Sequence, residues 1–290
     1  MDALLHQAFA GLATGGIYAS LALALVMIHN ATRLVNFAQG EMAMFSTYLC
    51  WTMLQAGWPY WIAFLATVVL AFVLGVAIER IVIRPVERAP VLTAVVVFIG
   101  LLVVFNGTAG LIWGYTNKEF PSPFDQKAWY GSTYLTPHEV GMIGITLIVL
   151  GIVFVFFRFT RLGLAMRAAA ENPASSRLVG IRVGWMLALG WGLAALLGAI
   201  AGMMAAPKLF LDPNLMGGVI LYGFAAALLG GIDNPLGAVI GGFIVGVLEN
   251  VVGAYLIGTE LKLTVALVVI IGVLVVKPSG LFGRVLVSRV

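Results

Sequence analysis

Residues 157–185 read FRFTRLGLAMRAAAENPASSRLVGIRVGW. Between Arg158 and Gly184 stand Arg158, Arg161, Arg167, Arg177 and Arg182 against a single acid, Glu171, with long apolar runs on both sides. A segment so charged is an interfacial loop or short helix between two membrane spans. The positive-inside rule puts a short arginine-rich loop of this kind in the cytoplasm. Within it, Asn172 followed by Pro173 predicts an N-cap with proline at the first helical position. Gly180 then supplies the stop. A short capped helix on the inner face is a surface on which another protein can push. The alternative is that the segment only fixes topology.

Composition sets the class. The chain has 290 residues, 62% hydrophobic and 10% charged, with a mean hydropathy of +1.07. So few charges could not keep so apolar a chain in water. The apolar runs are continuous rather than alternating, which excludes a transmembrane barrel. The expectation is an all-α fold, a polytopic transmembrane helical bundle forming a single domain. The net charge of +4 sits beside span ends, as loop bias requires, and does not point to nucleic acid. One cysteine, Cys50, excludes an internal disulfide. The first residues, MDALLHQAFAG, lack a basic region, so the first apolar run reads as a retained span.

A span needs about 20 apolar residues. On that measure the first runs from Gln7 to Ile28. Polar residues then interrupt LVNFAQGEMAM, and the clean run Met42 to Ala56 is short, so residues 34–41 read as a broken or re-entrant piece leading into the second helix. Spans follow at Ile62 to Ile83, Val91 to Trp113, Val140 to Phe157 and Trp185 to Ala206. Residues 114–139, with balanced charge and three prolines, read as an outer loop, whereas ERIVIRPVERAP, with Arg80, Arg84 and Arg88, reads as inner. GGVILYGFAAALLGGIDNPLG is a second short piece, broken at Gly230–Pro235. Leu236 to Ile257 and Leu263 to Val276 complete the set, and the tail with Lys277, Arg284 and Arg289 reads as inner. This gives about 8–9 spans with two broken or re-entrant segments; nine place the N-terminus outside. Glycines spaced by four, Gly11/Gly15, Gly198/Gly202, Gly237/Gly241 and Gly242/Gly246, predict close helix–helix approach.

No G-x-x-x-x-G-K-[ST], H-E-x-x-H or G-x-S-x-G occurs. The expectation is therefore no enzyme, no catalytic residue and no metal, and no cofactor of this chain's own. Glu41, Asp233, Glu249 and Glu260 fall near the expected span ends, which argues against a buried proton or sodium relay. The interrupted segments are what remains, because broken helices expose backbone groups to a cavity. Asn36 and Gln39 can hydrogen-bond a zwitterion or an amide. Glu41 either caps its helix or meets a solute ammonium. Asn106, polar within a span, lines the path or satisfies a neighbouring helix.

NFAQGEMAM, ERIVIRPVERAP with the following LIWG, RAAAENPASSRLVGIRV, GGIDNPLGAVIGGFIVGVLEN and KPSGLFGR resemble, in order and over nearly the whole chain, the permease subunits of high-affinity branched-chain amino-acid ABC transporters. The resemblance implies a bacterial inner-membrane, multi-pass permease. Its partners would be a homologous second permease, two cytoplasmic ATP-binding subunits that hold the ATP, and a periplasmic solute-binding protein. Residues 158–184 would then be the coupling loop, with Arg167, Glu171, Asn172, Pro173, Arg177 and Gly180 at the ATPase, and Asn36, Gln39, Glu41 and Asn106 along the path. The rival expectation is a stand-alone secondary carrier or channel for a small polar solute.

Overall fold

In the computed structural model, which describes residues 2–32, 35–87, 89–124 and 135–283, the described residues are almost entirely helical. The chain runs through α1 (Asp2–Thr32), α2 (Gln39–Gln55), α3 (Tyr60–Ile78), α4 (Arg84–Val86), α5 (Val91–Trp113) and α6 (Pro137–Phe159). It continues through α7 (Arg161–Glu171), α8 (Pro173–Leu178), α9 (Val183–Leu209), α10 (Leu215–Gly230), α11 (Pro235–Val252) and α12 (Lys262–Val276). Six helical stretches are long and apolar enough to cross a membrane, and α10 and α12 are apolar but shorter. Arg88, Arg284, Arg289 and residues 125–134, used above to assign sides, lie outside the described residues.

α1 and α9 form the middle of the bundle. The most apolar stretch of α1 is 89% buried, against 22% for α5 and for α6, whose large side chains face outward as lipid-facing helices do. The glycine pairs explain how α1 is reached. Gly11 and Gly15 of α1 meet Gly242 and Gly246 of α11 along one seam, where a Cβ on Gly11 would lie 2.7 Å from Val247 Cα and one on Gly15 2.9 Å from Phe243 Cα. Gly198 and Gly202 of α9 admit Gln39 and Thr47 of α2 in the same way.

ERIVIRPVERAP carries the third span's helix beyond its expected end at Ile83: α3 continues through a π turn, Glu79–Ile83, into α4. Pro85 has no N–H to give and would clash with a tight helical turn, and the widened π turn accommodates it. Glu41 lies in the first turn of α2 and Glu249 near the end of α11, close to helix ends as read, and both are buried, 7% and 6% exposed, which the sequence does not reveal. At one end of the bundle Arg84 donates to the Gly184 carbonyl, so the two arginine-bearing segments meet. At the other end Lys118 and Leu211 exchange backbone hydrogen bonds of 2.9 Å each, and Lys208 pairs with Glu139 at 2.7 Å.

Candidate functional site

Two sets of residues deserve a functional account, one buried and one exposed. The buried set begins at the break before α2. Asn36 is fully buried; its Oδ1 accepts the Ala38 N–H at 3.0 Å, and its Nδ2 lies 3.7 Å from Met42 Sδ. This side chain shapes the turn that starts α2. Gln39, also fully buried, donates from Nε2 to the Ala194 carbonyl of α9 at 2.9 Å, and its Oε1 has no partner. One residue further, Glu41 sits in the first turn of α2, where the helix dipole favours an anion. Its Oε2 is buried with no hydrogen-bond partner.

Asn106 of α5 lies beside Glu41. Its Nδ2 donates to the Pro213 carbonyl at 2.9 Å and to Asn214 Oδ1 at 3.3 Å, pinning the non-helical link between α9 and α10. The charge of Asp212 in that link reaches both Glu41 and Tyr48. Tyr48 is fully buried, and its hydroxyl too has no partner. Phe45 lies between Glu41 and Tyr48 on the same face of α2, since the three are spaced i, i+4, i+7. Phe45 packs edge-on against Phe105 at 5.2 Å and Trp113 at 5.5 Å, and Tyr48 stacks on Trp113 at 4.8 Å. The arrangement offers one unpartnered carboxylate oxygen and one unpartnered hydroxyl, set beside an aromatic wall. An ammonium group next to an apolar side chain is complementary to it.

Glu41 and Asn106 are thus brought together, while Asn36 and Gln39 organise the backbone around them. Phe45, Tyr48, Phe105, Trp113, Asp212 and Asn214 were missed from the sequence. The heptad-like spacing from Glu41 to Tyr48 and the Asp-Pro-Asn at 212–214 were the signals available. The other break, Gly231–Asn234, does not join them. Leu281 and Phe282 N–H groups bond the Leu229 and Gly230 carbonyls, and Asn234 Nδ2 donates to the Phe282 carbonyl at 3.0 Å. The tail closes that break.

The exposed set is the arginine-rich segment, which holds two helices instead of one. Thr160 caps α7, accepting the Gly163 N–H at 2.9 Å. Asn172 caps α8, its Oδ1 accepting the Ser175 N–H at 2.9 Å, with Pro173 at the first position. At the other end Gly180 has φ +84°. Its N–H bonds the Arg177 carbonyl at 3.1 Å and the Ile181 N–H bonds that of Ser176 at 3.0 Å, the paired closure that glycine permits. Arg167, Glu171 and Arg177 are exposed. Leu178 and Val179 stand 88% and 77% exposed at the tip.

Residues 7–274 match the family described as branched-chain amino acid transport system, permease component. The chain belongs to this permease family. It is 31% identical to the high-affinity branched-chain amino acid transport system permease protein LivH of Escherichia coli, over 99% of this chain and 97% of that one. With BraD of Pseudomonas aeruginosa, a permease of the same description, it shares 28% identity over 99% and 98%. The ribose import permease RbsC of Escherichia coli matches at 28% over 61% of this chain and 59% of its own. As a family member the chain is a multi-pass membrane transport permease and not an enzyme.

Proposed function

We propose that this permease is the membrane-spanning subunit of an ATP-binding-cassette importer of the bacterial inner membrane. Its cargo is a branched-chain or related amino acid. Nine helices, α1, α2, α3, α5, α6, α9, α10, α11 and α12, cross the bilayer, with the N-terminus outside and the α7–α8 segment in the cytoplasm. The chain works beside a homologous permease, two ATP-binding subunits and a periplasmic solute-binding protein. Asn36, Gln39, Glu41 and Asn106 lie on the path, where the cargo ammonium meets Glu41 and its apolar side chain meets Phe45, Phe105 and Trp113.

One observation supports this above the others. A single helix, α9, starts beside α8, offers the Ala194 carbonyl to Gln39, and ends at the link that Asn106 pins. At 1.5 Å per residue it is about 40 Å long, enough to cross the bilayer with little slack. A push on α8 from an ATPase closing on nucleotide therefore reaches both sides of the buried site through one continuous helix. Arg167, Glu171, Asn172, Pro173, Arg177 and Gly180 form the surface that receives the push.

The test is uptake by vesicles reconstituted with the permease and its ATPase and binding-protein partners. Replacing Glu171 by Ala and Gly180 by Val should leave complex assembly intact and uncouple uptake from ATP hydrolysis. A side chain at Gly180 costs about 1–2 kcal/mol in the left-handed region, enough to unseat the end of α8. Unaltered uptake by the double variant would overturn the docking surface. Uptake by the purified chain alone, driven by an ion gradient, would replace the importer with a secondary carrier.

A further inference from the structure

Where α7, the turn after α8 and the first turns of α9 meet, a groove is lined by Ala165, Ile181, Arg182, Trp185, Met186 and Leu189. All but Arg182 present apolar or aromatic surface. The ring of Trp185, 48% exposed, also carries the Arg80 guanidinium 3.6 Å from its centroid. Arg80 is poorly provided for. Its Nε and Nη2 are buried without a hydrogen-bond partner, and its nearest acid, Glu79, stands 3.9 Å away and is shared with Arg84 at 3.2 Å. Arg80, Arg84 and Arg182 outnumber the nearby acids, Glu79 and Glu87, by one charge. The start of α9 adds to the imbalance, because Arg182 at its N-cap offers no side-chain acceptor and the positive end of the helix dipole favours an anion.

We propose that this groove binds an anionic phospholipid. One acyl chain lies along Ala165, Met186 and Leu189, and the phosphate sits between Arg182 and Arg80 at the start of α9, with Trp185 at headgroup level. The charge excess requires an anion, the apolar walls require a hydrocarbon tail, and one molecule satisfies both. Basic pockets between helices at the inner interface are where such lipids bind. The site is separate from Glu41 and from the exposed tip of α8. A lipid seated there splints α7 against α9.

The experiment is native mass spectrometry of the full-length purified chain, delipidated and titrated with dioleoyl phosphatidylglycerol or dioleoyl phosphatidylcholine. Phosphatidylglycerol should be retained well above phosphatidylcholine. Arg80→Gln and Arg182→Gln should each weaken it about fivefold, the value of one basic residue at an anionic membrane, and Arg182→Lys should restore most of the loss. Ala165→Phe fills the groove and should weaken binding with every charge in place. Brominated phosphatidylglycerol should quench Trp185 fluorescence, a signal absent in Trp185→Phe, and millimolar inorganic phosphate should not displace the lipid. Equal retention of both lipids, or wild-type retention by Arg182→Gln, which alters an exposed position, together with an Arg80→Gln variant whose melting temperature matches wild type, would overturn the proposal. So would loss of the quenching when the ATP-binding subunit is added, since the groove would then be a protein interface.

Discussion

Glu41 and Glu249 are the same residue type at nearly the same burial, and the bundle treats them in opposite ways. Glu249 accepts the Tyr18 hydroxyl at 2.6 Å, and Tyr18 stacks on Tyr222 at 4.7 Å. Tyr222 and Lys262 also face that carboxylate. The next residue, Asn250, donates to Thr14 at 2.9 Å and accepts from Lys262 at 3.1 Å. This network draws on α1, α10, α11 and the start of α12. Glu41 instead has Asn106 beside it, Asp212 near it, and one oxygen with nothing to accept from. A buried carboxylate costs free energy until donors surround it. Glu249 has its donors within the chain and holds helices together. Glu41 is left with one buried oxygen that nothing in the described residues donates to, and the proposed role on the path supplies that donor from the cargo.

The contrast breaks most visibly at Glu41. Glu41→Gln removes the charge that would hold an ammonium while keeping shape, and a hydrogen bond to a charged group contributes about 1.5–3 kcal/mol. Uptake by the reconstituted complex should fall about 10- to 100-fold. The melting temperature of the purified chain should hold or rise, since an underprovided buried charge is gone. Wild-type uptake by Glu41→Gln would remove Glu41 from the path.

Glu249→Ala should do the reverse. It strips the partner from Tyr18 and leaves Lys262 without its nearby acid, so stability should drop by about 2–3 kcal/mol. Tyr18→Phe, which deletes one hydrogen bond within the membrane, should cost about 1 kcal/mol. Both are read by unfolding in mixed micelles. Residual uptake per folded complex should stay near wild type. Normal stability with lost uptake would make Glu249 a second functional acid and erase the distinction.

How far this was legible in the sequence depends on whether the signal is local. α5 was read at its observed limits, Val91–Trp113, and the cap at Asn172 and stop at Gly180 were read correctly, because helix ends are written in adjacent residues. The seam of Gly11/Gly15 with Gly242/Gly246 was half legible: the spacing predicts close approach, but not which pairs meet. The donors of Glu249 could not be seen, since Tyr18 is 231 residues away in sequence. For the same reason the sequence points to Gly230–Pro235, where polar residues and glycines crowd, as the second interrupted segment. The break that faces Glu41 in the structure is 210–214, and only the fold brings Asn106 to Pro213.

The smallest effect tests the exposed end of the same comparison. α8 has six residues, too few to hold themselves helical in water without help from their ends. Asn172→Ala removes the side chain that accepts the Ser175 N–H, worth about 1 kcal/mol of local helix stability. Because α8 is exposed on nearly every side, that loss stays local, and the melting temperature should not move. Uptake should fall only a few-fold while ATP hydrolysis continues, and Asn172→Ser, which can cap, should restore it. If Asn172→Ala instead lowers global stability as Glu249→Ala does, α8 belongs to the packed bundle and cannot serve as a separate lever.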